Sequence, residues 1–518
     1  MDAPQPEFPR RRPASSLLNL PGRREEYVLT RWLFLRALGL IYLVAFLSLS
    51  TQITGLVGRR GILPVEGFLA AASGALGSSA WQQLPTLLWL NHTDAFLRGL
   101  CVAGVILAGL VTADLLTLPA LAGLWALYLS LFYAGQDFLG FQWDILLLET
   151  GFLAIFFAPL SWPGRRPGLP SLSVLWLLRL LVFRLMFGSG VAKLASGDPT
   201  WRDLSATAYH YQTQPLPTPL GWVMHHLPMT AHRAEVGFTF VAELIAPFLI
   251  FAPRPLRLGG AAVLVVLQFM ILLTGNFAFF NWLSIVLCLT LLDDAALRRL
   301  WPARLRARLE GQGQREPSPG RRGAHLALFG VLLLFNLTQL ARLAGAAASV
   351  PGPIEALEKR LAPLQLVNNY GLFASMTTQR PEIVLEGSRE GQAWREYRFR
   401  YKPGNLRRAP MWVAPYQPRL DWQLWFAALQ GSPAQTPWMG PFVWRLLQGE
   451  PQVLALLGPP PFPDGPPRFV RGRLYEYTYT TPSQRRATGQ WWTRRLLGEY
   501  FSPVSLKDLQ PPEQATPP

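Results

Sequence analysis

The chain has 518 residues, of which 50% are hydrophobic and only 15% charged. Soluble domains carry about 25% charge, so a string of ordinary soluble domains is excluded. The aperiodic 47 Pro and 44 Gly exclude collagen, and the two cysteines exclude a disulfide scaffold. The net charge is +17, yet the arginines gather beside apolar runs, which points to membrane flanks and away from nucleic acid.

Residues 1–30 are polar and hold Arg10, Arg11, Arg12, Arg23 and Arg24, and they read as a cytoplasmic N-terminus. The apolar run Trp32–Leu49 follows. It is longer than the signal-peptide core of about 7–15 residues, and the sequence after it is a poor cleavage site. It reads as a retained first transmembrane helix. Further apolar runs lie near 97–113, 115–134, 143–160, 174–195, 234–253, 259–275, 277–292 and 323–345. A membrane-crossing helix needs about 20 apolar residues, so residues 31–345 are expected to form a helical membrane bundle of about nine spans. Cys101 and Cys288 fall inside these runs and read as small buried hydrophobes. Arg165, Arg166, Arg254, Arg257 and the 293–322 segment mark the cytoplasmic loops, with Arg59 and Arg60 as exceptions. This parity puts everything after residue 345 on the opposite side.

From residue 350 the pattern changes. Tyr397, Phe399 and Tyr401 alternate with Arg398, Arg400 and Lys402, and Tyr475, Tyr477 and Tyr479 alternate with Glu476 and Thr478. Period two with aromatics on one face predicts half-buried strands. Residues 382–402 are expected to form a hairpin, and Leu420–Leu429 and Phe442–Leu457 helices. Residues 350–505 thus read as a soluble, β-rich α+β domain on the non-cytoplasmic side, with a disordered Pro-rich tail at 506–518.

Ionisable residues inside apolar spans are costly and mark functional candidates. Here they are Asp144, Glu149, Arg179, Arg184, Lys193 and Glu243. Asp144 is expected at a helix start, as a cap for free N–H groups. Arg184 and Lys193 are nine residues apart on one helix, about 900° at about 100° per residue, so they face opposite sides and need different partners. Arg184 can pair with Glu149 or Glu243, and the plain reading of all three is an ion pair that fixes helix register. The chain holds 44 Arg and 4 Lys, and Lys193 is the first of the four. A buried lysine can give up its proton and act as a base, as arginine cannot. Ser189, one turn earlier, offers a Ser–Lys pair. The plain alternative is that Lys193 snorkels to the surface near Ser196. Gly188, Gly190 and Ala192 form a smooth face for close helix packing. The loop after this helix holds Asp198, Trp201, Asp203 and His210, and four of the six histidines lie in 196–233. Their spacing matches no metal motif, so the loop reads as a packed outer loop, with no metal or other cofactor expected.

Several separate stretches resemble the lipase maturation factor family. They include Gly55–Pro64, Glu149–Pro159, Arg184–Trp201, His210–Pro219, Gly275–Trp282, Asn368–Phe373, Arg380–Ser388, Tyr401–Gly404 and Pro418–Trp422, in that order. The resemblance covers roughly residues 30–505. It implies a multi-pass membrane protein, of the endoplasmic reticulum in eukaryotes, that matures secreted lipases without making or breaking a bond. Its implied partners are the bilayer and an exported lipase client. The scarcity of lysine suggests a bacterial-type member, for which the membrane is the inner membrane. A shorter stretch, Phe187–Leu194 with Trp201 following, resembles the membrane segment of vitamin K-dependent gamma-carboxylases. That resemblance implies the competing reading, a membrane enzyme with Lys193 as the base acting on a lipid-soluble substrate.

Overall fold

The computed structural model describes residues 26–159, 169–298, 318–343, 345 and 350–509. The expectations for residues 1–25, for Arg165 and Arg166, for the arginines from 299 to 315 and for the tail beyond 509 lie outside the described residues.

Each apolar run becomes a helix. In chain order they are α1 (Val28–Ser50), α2 (Asp94–Thr112), α3 (Thr117–Ala134), α4 (Gln142–Phe157) and α5 (Leu172–Ala195). Then come α6 (Met229–Phe240), α7 (Arg254–Thr274), α8 (Phe280–Cys288) and α9 (Pro319–Leu343). Among the described residues seven are long and apolar enough to cross a membrane, fewer than the nine expected. The two that fall short are α4 and α8. Helix α4 ends at Phe157, where the chain turns extended ahead of Pro159. Helix α8 starts only at Phe280, after Ala278 takes a positive φ of 52°.

Helix α6 does not end at Phe240. It widens into a π-helix, Val241–Ile245, and tightens into a 3-10 helix, Ala246–Phe251. Pro247 has no N–H to give to the α-helical ladder, and the change of hydrogen-bond spacing accommodates it. Glu243 sits inside the π segment.

The first two long helices approach closely. A Cβ on Gly104 of α2 would lie 2.3 Å from the Phe46 ring of α1. The N-terminus of α1 is capped from far along the chain, as Asp294 accepts from the N–H of Val28 at 2.8 Å and of Thr30 at 3.0 Å.

The C-terminal domain holds a four-stranded antiparallel sheet, order β2-β1-β3-β4. The strands are β1 (Pro381–Ser388), β2 (Arg395–Glu396), β3 (Phe469–Tyr479) and β4 (Trp492–Val504). Ile383 sits opposite Leu474, and Tyr479 opposite Trp492. The expected strand through Tyr401 stops at Glu396. Beyond it the N–H groups of Tyr401 and Lys402 donate to Asp421 at 3.0 and 2.8 Å, which takes them out of any ladder. The alternation sorts burial only as far as Phe399: Tyr397 and Phe399 are buried, but beyond them Lys402 is buried and Tyr401 only half-buried. Two helices pack beside the sheet, α10 (Arg419–Gln430) and α11 (Met439–Gln448). The helix expected over 442–457 breaks after Gln448, because Gly449 turns left-handed (φ 68°) and a new short helix starts at Pro451.

The domain is fastened to the bundle by buried polar groups. Arg419, 1% exposed, straddles Asp144 at 2.9 and 3.0 Å and donates to the Phe138 carbonyl at 2.7 Å. Asp144 therefore lies at a helix start, as expected, but it does not cap it: its carboxylate holds Arg419 and accepts from Tyr128. Asn276, between α7 and α8, donates to the Met411 carbonyl at 2.8 Å and accepts from the Val413 and Ala414 N–H groups at 2.6 and 2.9 Å. Arg445 of α11 reaches the Gly61 carbonyl at 3.0 Å.

Overpacking a tight core costs about 1–3 kcal/mol. Gly104→Ala is therefore expected to lower the thermal unfolding midpoint of the purified protein, whereas Gly99→Ala, with open space at its Cβ position, is expected to leave it unchanged.

Candidate functional site

The two cations of α5 take different partners, as their spacing requires. Arg184 pairs with Glu149 of α4, and Lys193 pairs with Glu243 in the π segment after α6. The open choice for Arg184 is thus settled for Glu149, and all four side chains are buried. The smooth face of α5 makes the second pair possible. A Cβ on Gly190 would meet the end of the Leu244 side chain at 2.7 Å and the Glu243 Cβ at 3.0 Å, so a larger residue would have to displace Leu244 and crowd the π segment.

A single stretch of chain, residues 368–376, closes both pairs. Glu149 accepts from the Asn368 N–H at 3.0 Å and from the Tyr370 hydroxyl at 2.8 Å, while Arg184 donates to the Asn368 carbonyl. Lys193 donates to both Glu243 oxygens, at 2.9 and 2.8 Å, and to the Leu372 carbonyl at 3.0 Å. Its ammonium also lies 5.2 Å from the Trp201 ring centroid. An ammonium has three donors, and all three are engaged.

Lys193 therefore does not snorkel; at 3% exposure it is locked in the interior. Nor does it pair with Ser189, whose hydroxyl donates back to the Leu185 carbonyl at 2.8 Å. A base needs a lone pair aimed at a substrate proton. Here the nitrogen donates to a carboxylate and a carbonyl, so a role as base would require the pair with Glu243 to open first.

The outer-loop candidates divide. Asp198 caps the short helix Pro199–Arg202 and accepts from the Met376 N–H at 2.6 Å. Trp201 donates to the Phe373 carbonyl at 3.1 Å. Both thus hold the same 368–376 stretch. Asp203 accepts only from the Ser205 N–H, at 2.9 Å, in an exposed turn, and takes no part. His210 stacks on Phe277 and meets Phe373 edge-on. Of the remaining loop histidines, His232 pairs with Glu235 at 3.3 Å, and His225 and His226 pack near Trp222 and Tyr479. Among the described residues no group of three or more His, Cys, Asp or Glu is placed to hold a metal ion. The tryptophans of the C-terminal domain also divide. Trp422, Trp425 and Trp438 are core, and only Trp412 is exposed, at 60%.

Next to the Lys193–Glu243 pair lies a cavity of about 500 Å³ between α5, α6, α7 and α10. Its wall is mainly apolar, with Trp143, Phe277 and Trp422 prominent, and Gln268, Asn281 and His210 add polar edges. Sequence reasoning missed Gln268, Asn281, Tyr370 and Arg419. The last three lie inside the stretches Gly275–Trp282, Asn368–Phe373 and Pro418–Trp422 that carried the resemblance, and that was the available signal.

Seven membrane-length helices, buried ion pairs and a docked α+β domain define an integral, multi-pass membrane protein with a C-terminal domain built onto its bundle. The chain belongs to the lipase maturation factor family: the family's transmembrane-domain model matches residues 29–299 and its C-terminal-domain model residues 366–502. It is 38% identical to lipase maturation factor 1 of Bos taurus over 540 residues, covering 98% of this chain and 94% of that one. It is 38% identical to lipase maturation factor 2 of Homo sapiens over 606 residues, with 93% and 83% covered. Human lipase maturation factor 1 is 36% identical over 551 residues, with 98% and 94% covered. No solved structure matches.

Removing one partner of a buried pair costs about 3–5 kcal/mol, while replacing both can be neutral. Arg184→Met alone is expected to lower the unfolding midpoint strongly. Adding Glu149→Leu should recover much of the loss, and thermal unfolding of the three forms in one detergent checks it.

Burial, with Lys193 adding to it, lowers the His210 imidazole to about 4. An unfolded histidine takes a proton near pH 6.5, so this residue costs stability as pH falls from about 6.5 towards 4, after which its contribution is constant. His210→Phe should flatten that part of the stability profile, measured by unfolding at stepped pH. A residual slope from His225, also lowered to about 4, should persist.

Proposed function

We propose that this protein is a membrane-embedded maturation factor for exported lipases, acting on its client through the C-terminal domain and the loops on the same side. The observation that carries this is the match along nearly the whole chain to proteins named lipase maturation factors. The build of the molecule supports it. The C-terminal domain is held on the bundle by buried ionic and amide contacts. Trp412 and, on the edge strand β4, Leu496 and Leu497 give it exposed apolar surface, of the kind that contacts protein partners.

The N-terminus lies in the cytoplasm in this reading, and the C-terminal domain faces the endoplasmic reticulum lumen or, in a bacterium, the space outside the inner membrane. Arg31, Arg254 and Arg257 gather at one end of the bundle around Asp293 and Asp294, and Arg298 pairs there with Glu26, whose carbonyl accepts from the Asp294 N–H. The C-terminal domain docks at the other end, where Gln52 donates to the Gln417 carbonyl at 2.7 Å. Basic residues mark the cytoplasmic end of a bundle.

The test uses cells that lack their own factor, expressing wild type, Lys193→Arg or Arg419→Met beside a secreted lipase. Lipase activity is measured per unit of lipase antigen. Wild type is expected to restore it several-fold, and Arg419→Met, which leaves Asp144 buried without its cation, to lose most of the gain. Lys193→Arg keeps the charge and should retain a substantial part. Lipase activity indifferent to wild type overturns the reading, and loss confined to Lys193→Arg in a folded protein returns it to Lys193 chemistry.

A further inference from the structure

We propose that the cavity beside the Lys193–Glu243 pair is a binding site for a neutral amphiphile drawn from the bilayer, with one apolar tail and an uncharged, hydroxyl-bearing head. The proposal stands independently of the client reading, because it concerns what the bundle itself holds.

Size and lining come first. Small-molecule sites run about 300–1,000 Å³ and are mostly apolar with a few placed polar groups. This cavity, of about 500 Å³, has largely aromatic and aliphatic walls, broken by the Lys193–Glu243 pair, by Glu235 and by the amides of Gln268 and Asn281.

The polar edge selects the head. Asn281 is 1% exposed, and its Oδ1 has no hydrogen-bond partner, although its Nδ2 donates to Gln268 Oε1 at 2.8 Å. The indole N–H groups of Trp143 and Trp422, which line the same cavity, are also unpartnered, so the lining calls for both a donor and an acceptor. Turning both amides over moves the vacancy to the neighbouring polar atom and does not remove it. An unpaired buried acceptor is expensive and calls for a donor. A hydroxyl is both donor and acceptor, so it satisfies either amide arrangement.

Charge then excludes the alternatives. The Lys193 donors are spent on Glu243 and Leu372, so an anionic head finds no free cation and meets the Glu243 and Glu235 carboxylates. Glu235 is itself engaged by Tyr211 and His232. A cationic head meets the Lys193 ammonium on the same wall. An uncharged head avoids both costs.

Geometry gives the route. Helix α7 packs against the 3-10 segment Ala246–Phe251, next to the turn that joins the two, and its contacts with α6 thin out beyond the π segment. Thr239, Met270 and Ile271 line the cavity from the two diverging halves, and each is only half-buried. The neighbouring outward faces carry Val241, Phe269 and Leu273, all exposed and apolar. The gap therefore opens through an apolar surface, towards lipid tails.

The experiment uses the full chain in lipid nanodiscs with a monoacylglycerol that carries a diazirine in its tail and an alkyne for detection. A lysophosphatidylglycerol and an alkyl trimethylammonium with the same tail are the charged counterparts. Photolabelling by the monoacylglycerol is expected on peptides bearing Met186, Met270 or Leu372, several-fold above either charged probe, and suppressed by unlabelled monoacylglycerol. Asn281→Leu should weaken labelling several-fold, and Ser189→Phe, which fills the cavity, should abolish it, with elution and unfolding midpoint as folding controls. If Ser189→Phe does not fold, the competition on wild type carries the test. Labelling spread evenly along the lipid-facing helices, equal for the charged probes, or indifferent to competitor overturns the proposal. Preferential labelling by the anionic probe at these peptides overturns the neutral head.

Discussion

A charge inside an apolar bundle has to find its counterion there, and helix α5 carries two such charges facing opposite ways. Everything around α5 follows from that. Glu149 must come in from α4 on one side and Glu243 from the π segment on the other. Rotating or sliding α5 by one residue would break both pairs and strand four buried charges, each loss costing about 3–5 kcal/mol. The register of three helices is therefore set by two ion pairs, and the apolar side chains pack within it.

The same two pairs explain why the C-terminal region cannot be a loose appendage. Two carboxylates and two cations leave more donors and acceptors than they can satisfy among themselves. Residues 368–376 supply several of the missing partners, through the Asn368 backbone, the Tyr370 hydroxyl and the Leu372 carbonyl. Asp198 and Trp201 hold that stretch from the loop beyond α5. Arg419 then repeats the principle at Asp144, where a charge from the C-terminal domain completes one from the bundle. The bundle's interior is thus electrostatically complete only when the C-terminal domain is in place, and stability of either part is expected to depend on the other.

Much of this was legible in the sequence, because a membrane makes the code coarse. Apolar runs give helices, and an ionisable residue within them stands out. The opposite facing of Arg184 and Lys193 follows from helical geometry alone. What stayed hidden depends on the path of the chain through space. Arg419 sits in an ordinary amphipathic helix, and nothing local says that its guanidinium leaves its own domain. Lys402 was visible only as an outward member of the aromatic–basic alternation, and its carboxylate partner, Glu382, is found only once the strand-like run stops and folds back. The expected strand through Tyr401 failed for the same reason: strand pairing needs free N–H groups, Asp421 had claimed them, and from Tyr401 on the burial no longer follows the alternation. The two short helices failed on length, where apolar composition continues past the point at which Pro159 or the Ala278 turn ends the ladder.

The contrast between Lys193 and Asn281 separates the uses to which buried polarity is put in this bundle. Both line one cavity, and both are costly to bury. Lys193 has every donor satisfied by protein, which suits a group whose task is to hold helices in register. Asn281 has an acceptor satisfied by nothing. A bundle that needed only stability would lose little by carrying an apolar side chain there, since replacing an unpaired polar group by one of like shape removes a desolvation cost. The resemblance of the α5 segment to a catalytic membrane helix drew attention to the lysine, the residue whose chemistry is conspicuous. Hydrogen-bond accounting shifts attention across the cavity, to the amide whose unmet demand is addressed to something from outside the chain.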